Sequence, residues 1–169
     1  MKIFIIGFMG SGKTHWGRIW AANNGLDFFD LDELIEKNEN RTIAVIFEEQ
    51  GENYFREKES EMLRRFREKD HFLLACGGGS PCFGDNMKWM NQHGNTVYLS
   101  ASPQYITENI ATEKDKRPLL KNVKPGEILF FIEQKLNERK PFYDQSKFII
   151  PVNELDENSL SALHLINFT

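Results

Sequence analysis

The sequence of 169 residues has only two cysteines, Cys76 and Cys82, and it lacks long apolar runs, internal repeats and low-complexity tracts. Two cysteines are too few for a disulfide framework, so we expect both thiols to be reduced and the protein to be cytoplasmic. The apolar run at residues 3–6 is far too short for a signal-peptide core or for a membrane span of roughly 18 residues. We therefore expect no association with a membrane.

The sequence also lacks an excess of positive charge. Its formal net charge is −4, so it is not suited to neutralising a nucleic-acid backbone, although a local basic site for a small anion remains possible. Hydrophobic residues make up 40% and charged residues 27% of the chain, which is typical of a globular protein. The length suits one domain, and we expect residues 1–169 to form a single domain that acts as a monomer.

Strand and helix patterns alternate along the chain. Apolar runs at residues 3–6, 72–76, 96–99 and 147–150, with a shorter one at 28–29, predict strands. Helical patterns lie between them, including residues 13–23, 54–69 and 127–137. Such alternation predicts an α/β fold with a parallel sheet covered on both faces. Ligands of such sheets bind beyond the carboxyl ends of the strands.

Residues 7–14 read G-F-M-G-S-G-K-T, directly after the first predicted strand and at the start of a predicted helix. The pattern G-x-x-x-x-G-K-T is typical of a phosphate-binding loop whose backbone N–H groups cradle the phosphates of ATP. Lys13 would neutralise β/γ-phosphate charge, and the Thr14 hydroxyl would coordinate Mg²⁺. The alternative is an incidental glycine-rich turn, which does not explain why all the motif residues fall in register. His15 would contribute its backbone N–H, as any residue could.

Asp30 and Asp32 follow the second predicted strand. If the backbone is extended there, both carboxylates point to the same side. One could orient Mg²⁺ through water, and the other could accept a hydrogen bond and a proton from a substrate hydroxyl. The alternative is that Asp32 caps the helix that follows.

Further candidates lie at other predicted strand ends and helices. Gly77, Gly78 and Gly79 follow a strand and permit close approach of a ligand to the backbone. Arg117 belongs to a polar stretch, residues 112–124, that suits a mobile lid, from which an arginine could reach transferring phosphate oxygens. Arg56, early on a long helix, and Arg139 are further cations. Each arginine alone is a weak signal.

Taken in order, G-F-M-G-S-G-K-T, F-D-L-D, F-R-E-K-E, G-G-G, R-P-L-L and R-K-P-F-Y resemble the motifs of shikimate kinases from the first strand to about Tyr143. The resemblance implies an adenylate-kinase-like P-loop NTPase fold: a three-layer sandwich with a five-stranded parallel sheet and a lid. It also implies ATP-dependent phosphorylation of the 3-hydroxyl of shikimate, a step towards chorismate and the aromatic amino acids.

The resemblance further implies the acceptor site. Asp32 would bind the shikimate hydroxyls and be the best candidate for a base, while Arg56 and Arg139 would clamp the carboxylate. The backbone of residues 77–79, especially Gly78, would line the same pocket. Glu59 would orient Arg56.

The donor site follows in the same way. ATP would be the co-substrate and Mg²⁺ the cofactor, held by Thr14 with Asp30 acting through water. Arg117 would close over the phosphates and, with Lys13 and Asp32, belong to the catalytic set. The residues implied in ATP binding are Gly10, Ser11, Gly12, Lys13, Thr14, His15 and Arg117.

Two features depart from the resemblance. Family members often carry an arginine that packs on adenine shortly before R-P-L-L, but residues 104–116 contain none, which puts the adenine contacts in doubt. His15 stands where Ser or Thr is usual. Two alternatives also remain: another small-molecule P-loop kinase, such as a gluconate or nucleoside-monophosphate kinase, and a catalytically silent domain that has kept the fold.

Overall fold

A computed structural model describes residues 1–110, 120 and 123–167. In chain order the strands and helices are β1 Lys2–Ile6, α1 Lys13–Asn23, β2 Asp27–Asp30, α2 Leu31–Glu39, α3 Ile43–Arg64, β3 Phe72–Ala75, α4 Asn86–His93, β4 Asn95–Ser100, α5 Pro103–Ile110, α6 Ile128–Tyr143, β5 Phe148–Pro151 and α7 Ser159–Asn167. The alternation predicted from the apolar runs is thus present.

The five strands form one parallel sheet in the order β2-β3-β1-β4-β5. The central strand, β1, pairs with β3 on one side and β4 on the other, and its carboxyl end leads directly into the phosphate-loop motif. The predicted five-stranded parallel sheet is therefore confirmed. The loops that follow β1, β2 and β3 meet at one edge.

Alternate residues of β1 point to opposite faces of the sheet, and each face is buried. Phe4 and Ile6 belong to a core that includes residues of α2, α3, α4 and α6. Ile3 and Ile5 belong to a second core with Trp20 of α1 and residues of α7. This burial on both faces explains why β1 reads as a continuous apolar run. It also gives the molecule its three layers.

Helix α3 contains a kink at Gly51, where φ is 82° and ψ is 173°. A positive φ favours glycine, and the break divides the helix into two parts. Thr42 caps the first part, since its hydroxyl oxygen accepts a hydrogen bond from Val45 N at 3.4 Å. The prediction that the second part runs to residue 69 was wrong, because regular helix ends at Arg64 and turns follow.

Helix α6 extends further than the predicted range of residues 127–137. It continues through Pro141 and ends at Tyr143. Proline lacks a backbone N–H, so it costs an intrahelical hydrogen bond. Here it lies in the last turn, and its carbonyl oxygen accepts a hydrogen bond from the Gln145 side chain at 2.8 Å. As a result Arg139 lies within the helix rather than before a break.

Most of the predicted lid at residues 112–124, including Arg117, lies outside the described residues. Of that segment the structure describes Leu120, which is fully buried, together with Val123 and Lys124. Across the described ranges, no helix combines the length and the apolar character that crossing a bilayer requires.

Candidate active site

The phosphate-loop motif connects β1 to α1 at the carboxyl edge of the sheet. Gly12 lies directly before α1 with φ of 88°, a conformation that side-chain-bearing residues rarely adopt. The Lys13 ammonium donates hydrogen bonds to the carbonyl oxygens of Gly7 and Phe8, at 3.0 and 2.9 Å. The lysine is thus held over the loop, close to where the loop's backbone N–H groups and the helix start favour an anion.

Asp30 connects the phosphate loop to the end of β2. Its Oδ2 atom accepts a hydrogen bond of 2.7 Å from the Thr14 hydroxyl, and its Oδ1 atom accepts one of 3.0 Å from Asp32 N. Asp30 is therefore the N-cap of α2, and the suggestion that Asp32 caps this helix was wrong. Asp32 lies in the first helical turn, so the extended-backbone argument for the two carboxylates does not hold.

The two aspartates nevertheless line the same cavity. It has a volume of about 260 Å³ and lies at the phosphate loop. Its lining includes Met9, Gly10, Gly12, Lys13, Thr14, His15, Asp30, Asp32, Ala75, Cys76, Gly77, Gly78 and Asn109. Hereafter it is the donor cavity. Ser11 is fully buried beneath the loop and does not line it.

A second, smaller cavity of about 90 Å³ adjoins the first and is called the acceptor cavity. It is lined by Met9, Asp32, Ile43, Phe47, Phe55, Arg56, Glu59, Gly77, Gly78, Gly79 and Arg139. Met9, Asp32, Gly77 and Gly78 line both cavities. A group bound in the acceptor cavity therefore lies beside the phosphate loop.

Arg56 is held in the wall of the acceptor cavity by two carboxylates. Its Nη1 donates to Glu59 Oε2 at 2.8 Å, while Nε and Nη2 donate to Glu52 Oε1 at 3.2 and 3.0 Å. Ser80 donates to the other oxygen of Glu59, which is fully buried. Burial acts to lower the pKa of Arg56, but the Glu59 and Glu52 carboxylates outweigh it and raise that pKa. Arg56 is thus a fixed cation.

Arg139 is a second buried cation on the same wall, with only 9% of its surface exposed. Its guanidinium carbon lies 5.1 Å from the centroid of the Phe8 ring, and a Cβ atom at Gly78 would lie 3.1 Å from its Nη1. Within the part of the chain that the structure describes, no Asp or Glu forms an ion pair with Arg139. Because a buried charge is costly without a counterion, this arrangement favours an anionic ligand.

Comparisons with known proteins bear on the identity of this site. The family model for shikimate kinase matches residues 9–168. A shikimate kinase of Phocaeicola vulgatus is 40% identical over 156 residues, which are 92% of this chain and 89% of that protein. The chain belongs to the shikimate kinase family. Membership makes it a P-loop kinase that uses ATP as co-substrate.

Solved structures of shikimate kinases agree with this. The shikimate kinase of Bacteroides thetaiotaomicron has a TM-score of 0.90 to this chain at 37% identity, and the match covers 99% of both chains. The enzyme from Acinetobacter baumannii, solved in complex with shikimate, has a TM-score of 0.86 at 32% identity and covers 98% of this chain and 92% of that one. The adenylate-kinase-like P-loop fold is thereby confirmed.

The structure brings most of the site residues predicted from the motifs to these two adjacent cavities, and the expected contact between Glu59 and Arg56 is present. His15 is exposed and lines the donor cavity. Its ring makes an edge-to-face contact with the Trp16 ring, with 5.3 Å between the ring centroids. Arg117 lies outside the described residues. Ile110 is buried against the phosphate loop and lines neither cavity.

Four polar contributors to the site were missed by the motif analysis. Asn109 lines the donor cavity and donates to Gly10 O at 2.9 Å. Ser80 and Glu52 complete the network around Arg56, and Tyr143 contacts the triple glycine. Two signals were available in the sequence: Glu52 is four residues before Arg56, and Tyr143 ends the R-K-P-F-Y motif. The other two contacts, of Asn109 with Gly10 and of Ser80 with Glu59, join residues that are distant in sequence, so no local pattern indicated them.

Proposed function

We propose that the protein transfers the γ-phosphoryl group of ATP to the 3-hydroxyl of shikimate, giving shikimate 3-phosphate and ADP, a step in aromatic amino-acid biosynthesis. The observation that carries this proposal is the convergence of two buried arginines and one aspartate on a cavity that adjoins the phosphate loop. A small carboxylate-bearing polyol fits that set, because arginine binds carboxylate and aspartate accepts from hydroxyl groups.

On the acceptor side, Arg56 and Arg139 would bind the substrate carboxylate. The backbone of Gly77, Gly78 and Gly79 allows the ligand to approach closely. Asp32 lines both cavities, so it can orient a substrate hydroxyl towards the donor and accept its proton as transfer proceeds. Little base strength is required of Asp32 if transfer passes through a loose transition state.

On the donor side, the backbone of Gly10, Ser11, Gly12 and His15 would cradle the phosphates. Lys13 would exchange its two carbonyl partners for phosphate oxygens and stabilise the charge that shifts during transfer. Arg117 would approach the phosphates from the lid and exclude water from the reaction. That role is a proposal from the R-P-L-L motif.

Mg²⁺ fits beside the phosphate loop. Thr14 and Asp30 offer a hydroxyl and a carboxylate whose oxygens are 2.7 Å apart, and Mg²⁺ prefers oxygen ligands while keeping several waters. Thr14 would bind the ion directly and Asp30 through water. Among the described residues, no group of three or more His, Cys, Asp and Glu side chains is placed to hold a metal. The ion would therefore be shared with the nucleotide, and it would supply charge neutralisation on the phosphates.

We further propose that residues 1–169 act as one monomeric domain in the cytoplasm, without nucleic-acid or membrane partners. The continuous sheet and its two cores support the single domain. Size-exclusion chromatography with light scattering would test the monomer, with a mass near 19.7 kDa expected and about twice that value contradicting it.

A coupled assay for ADP release tests the proposed activity. Purified protein with ATP and Mg²⁺ is offered shikimate, gluconate and nucleoside monophosphates in parallel. ADP release with shikimate alone is expected. Release with another acceptor and none with shikimate would assign a different P-loop kinase, and binding of ATP and shikimate without any turnover would identify a silent domain.

A further inference from the structure

The Glu52 side chain occupies one edge of the guanidinium of Arg56, the arginine proposed to bind the substrate carboxylate. A single oxygen of Glu52 accepts from both Nε and Nη2 of Arg56, while Glu59 holds Nη1. The Nε/Nη2 edge of a guanidinium is a surface on which carboxylates bind with two parallel hydrogen bonds. The second arginine, Arg139, has no such partner among the described residues. Glu52 therefore occupies the edge of Arg56 on which a carboxylate can form two parallel hydrogen bonds.

The charges around the two arginines cancel. Arg56 and Arg139 carry two positive charges, and Glu52 and Glu59 carry two negative ones. The acceptor cavity also contains the carboxylate of Asp32. An incoming carboxylate is consequently not attracted by a net positive charge as long as Glu52 stays in place.

The two glutamates differ in their freedom to move. The side chain of Glu59 is 0% exposed and bonded on both oxygens, whereas that of Glu52 is 53% exposed and, among the described residues, bonded only to Arg56. Glu52 also directly follows the kink at Gly51, so it begins the second part of α3, where the helix dipole favours a carboxylate. Displacing Glu52 thus breaks two hydrogen bonds and no core packing.

Glu52 lies on the outer side of the arginine wall and does not line the acceptor cavity. Behind the arginine wall is an outer cavity of about 350 Å³, and Arg56, Arg139 and Gly79 line both this cavity and the acceptor cavity. Glu52, Lys135 and Glu138 also line the outer cavity, so it contains both cations and carboxylates. The Lys135 ammonium bonds to Glu138 at 2.6 Å on the surface and offers a second cation in the same space.

We propose that Glu52 is an internal competitor for the substrate carboxylate: it holds the Nε/Nη2 edge of Arg56 from the outer cavity, and binding of shikimate to Arg56 releases it into that cavity. The inference rests on the proposed function. Substrate binding then exchanges one carboxylate for another on Arg56 and leaves Glu59 in place. Glu52 sets the affinity for the anionic acceptor without touching it in the bound state.

Isothermal titration of shikimate into the Glu52→Gln variant tests this exchange without needing turnover. Glutamine keeps the shape and one acceptor oxygen but removes the competing charge. We expect the Kd for shikimate to fall about three- to fivefold, the range of a partly exposed ion pair. We expect shikimate methyl ester, which lacks the carboxylate charge, to bind both proteins with equal Kd. The matched control is Glu57→Gln, an exposed glutamate on the same helix.

Failure of the competition and failure of the proposed function give different results. A weaker or unchanged Kd for shikimate in Glu52→Gln would overturn the competition, since it would make Glu52 a residue that positions Arg56 or one without influence. An equal gain with Glu57→Gln or with the methyl ester would also overturn it, because general charge would then explain the effect. If the wild-type protein neither binds nor phosphorylates shikimate, the proposed function itself fails.

Discussion

The hydroxyl of Tyr143 donates a hydrogen bond of 2.6 Å to the carbonyl oxygen of Gly78. Tyr143 is fully buried and lies four residues after Arg139 on α6, so both side chains leave the same face of that helix. Burial raises the pKa of Tyr143 above its usual value, and the phenol stays protonated as a donor. One helix thereby supplies a cation of the acceptor cavity and fixes the glycine turn that lines the same cavity.

Tyr143→Phe removes this donor and leaves the Gly78 carbonyl without its partner. We expect a loss of stability of about 1–3 kcal/mol and a severalfold higher KM for shikimate, with little change in the KM for ATP. Chemical denaturation and steady-state kinetics measure the two effects. Tyr54→Phe is the control, since it removes a hydrogen bond to Glu39 outside both cavities. Equal KM values for shikimate in wild type and Tyr143→Phe would contradict the positioning role.

Gly79→Ala introduces a methyl group where the Arg56 guanidinium packs on the backbone. The added Cβ would collide with that guanidinium, and the buried Glu59 leaves it little freedom to shift. We expect shikimate affinity to fall by about tenfold or more, since one carboxylate contact is misplaced. Gly126→Ala is the control, because its Cβ would meet nothing within 4 Å. Wild-type shikimate affinity in Gly79→Ala would show that the close packing of Arg56 on Gly79 is not needed for shikimate binding.

Lys13→Ala removes the ammonium group held over the phosphate loop. We expect kcat to fall by about 10² or more, because the lysine acts on charge that develops during transfer. The circular dichroism spectrum should be unchanged, which separates lost chemistry from lost structure. Lys37→Ala, at an exposed position of α2, is the control. Near-normal turnover in Lys13→Ala would contradict the role of the loop.

The two thiols should react at very different rates. Cys76 is buried at the end of β3, and burial raises its pKa well above the usual value, so little thiolate forms at pH 8. Burial also raises the pKa of Cys82, but this residue is partly exposed. Mass spectrometry after iodoacetamide treatment should find Cys82 modified first and Cys76 modified only after unfolding. Rapid labelling of Cys76 in the folded protein would contradict its packing.

The fold was predictable because its central strands, β1 and β3, are buried on both faces and because glycine-rich motifs mark the turns that follow them. Both strands read as apolar runs for that reason, and the motif at residues 7–14 marked the turn after β1. The helix ends were less predictable. Residues 65–69 have helical composition but form turns, while Pro141, a residue that usually ends helices, is accommodated in the last turn of α6.

The acceptor site was predictable in its charged members but not in its geometry. Arg56, Arg139 and Asp32 lie on different elements, and only the motif order linked them. The cap at Asp30 was misassigned because either aspartate suits an N-cap, and only the backbone shows which one precedes the helix. The contact between Tyr143 and Gly78 joins residues 65 positions apart, which no local pattern reveals.

The central claim is that the donor and acceptor cavities together transfer phosphate to one hydroxyl of shikimate. The most direct measurement is nuclear magnetic resonance of the products formed from ATP and shikimate by the purified protein. The account predicts one new phosphomonoester, coupled to the proton on carbon 3 of shikimate, in equal amount to ADP. Phosphate attached elsewhere, or ADP formed with inorganic phosphate alone, would contradict it.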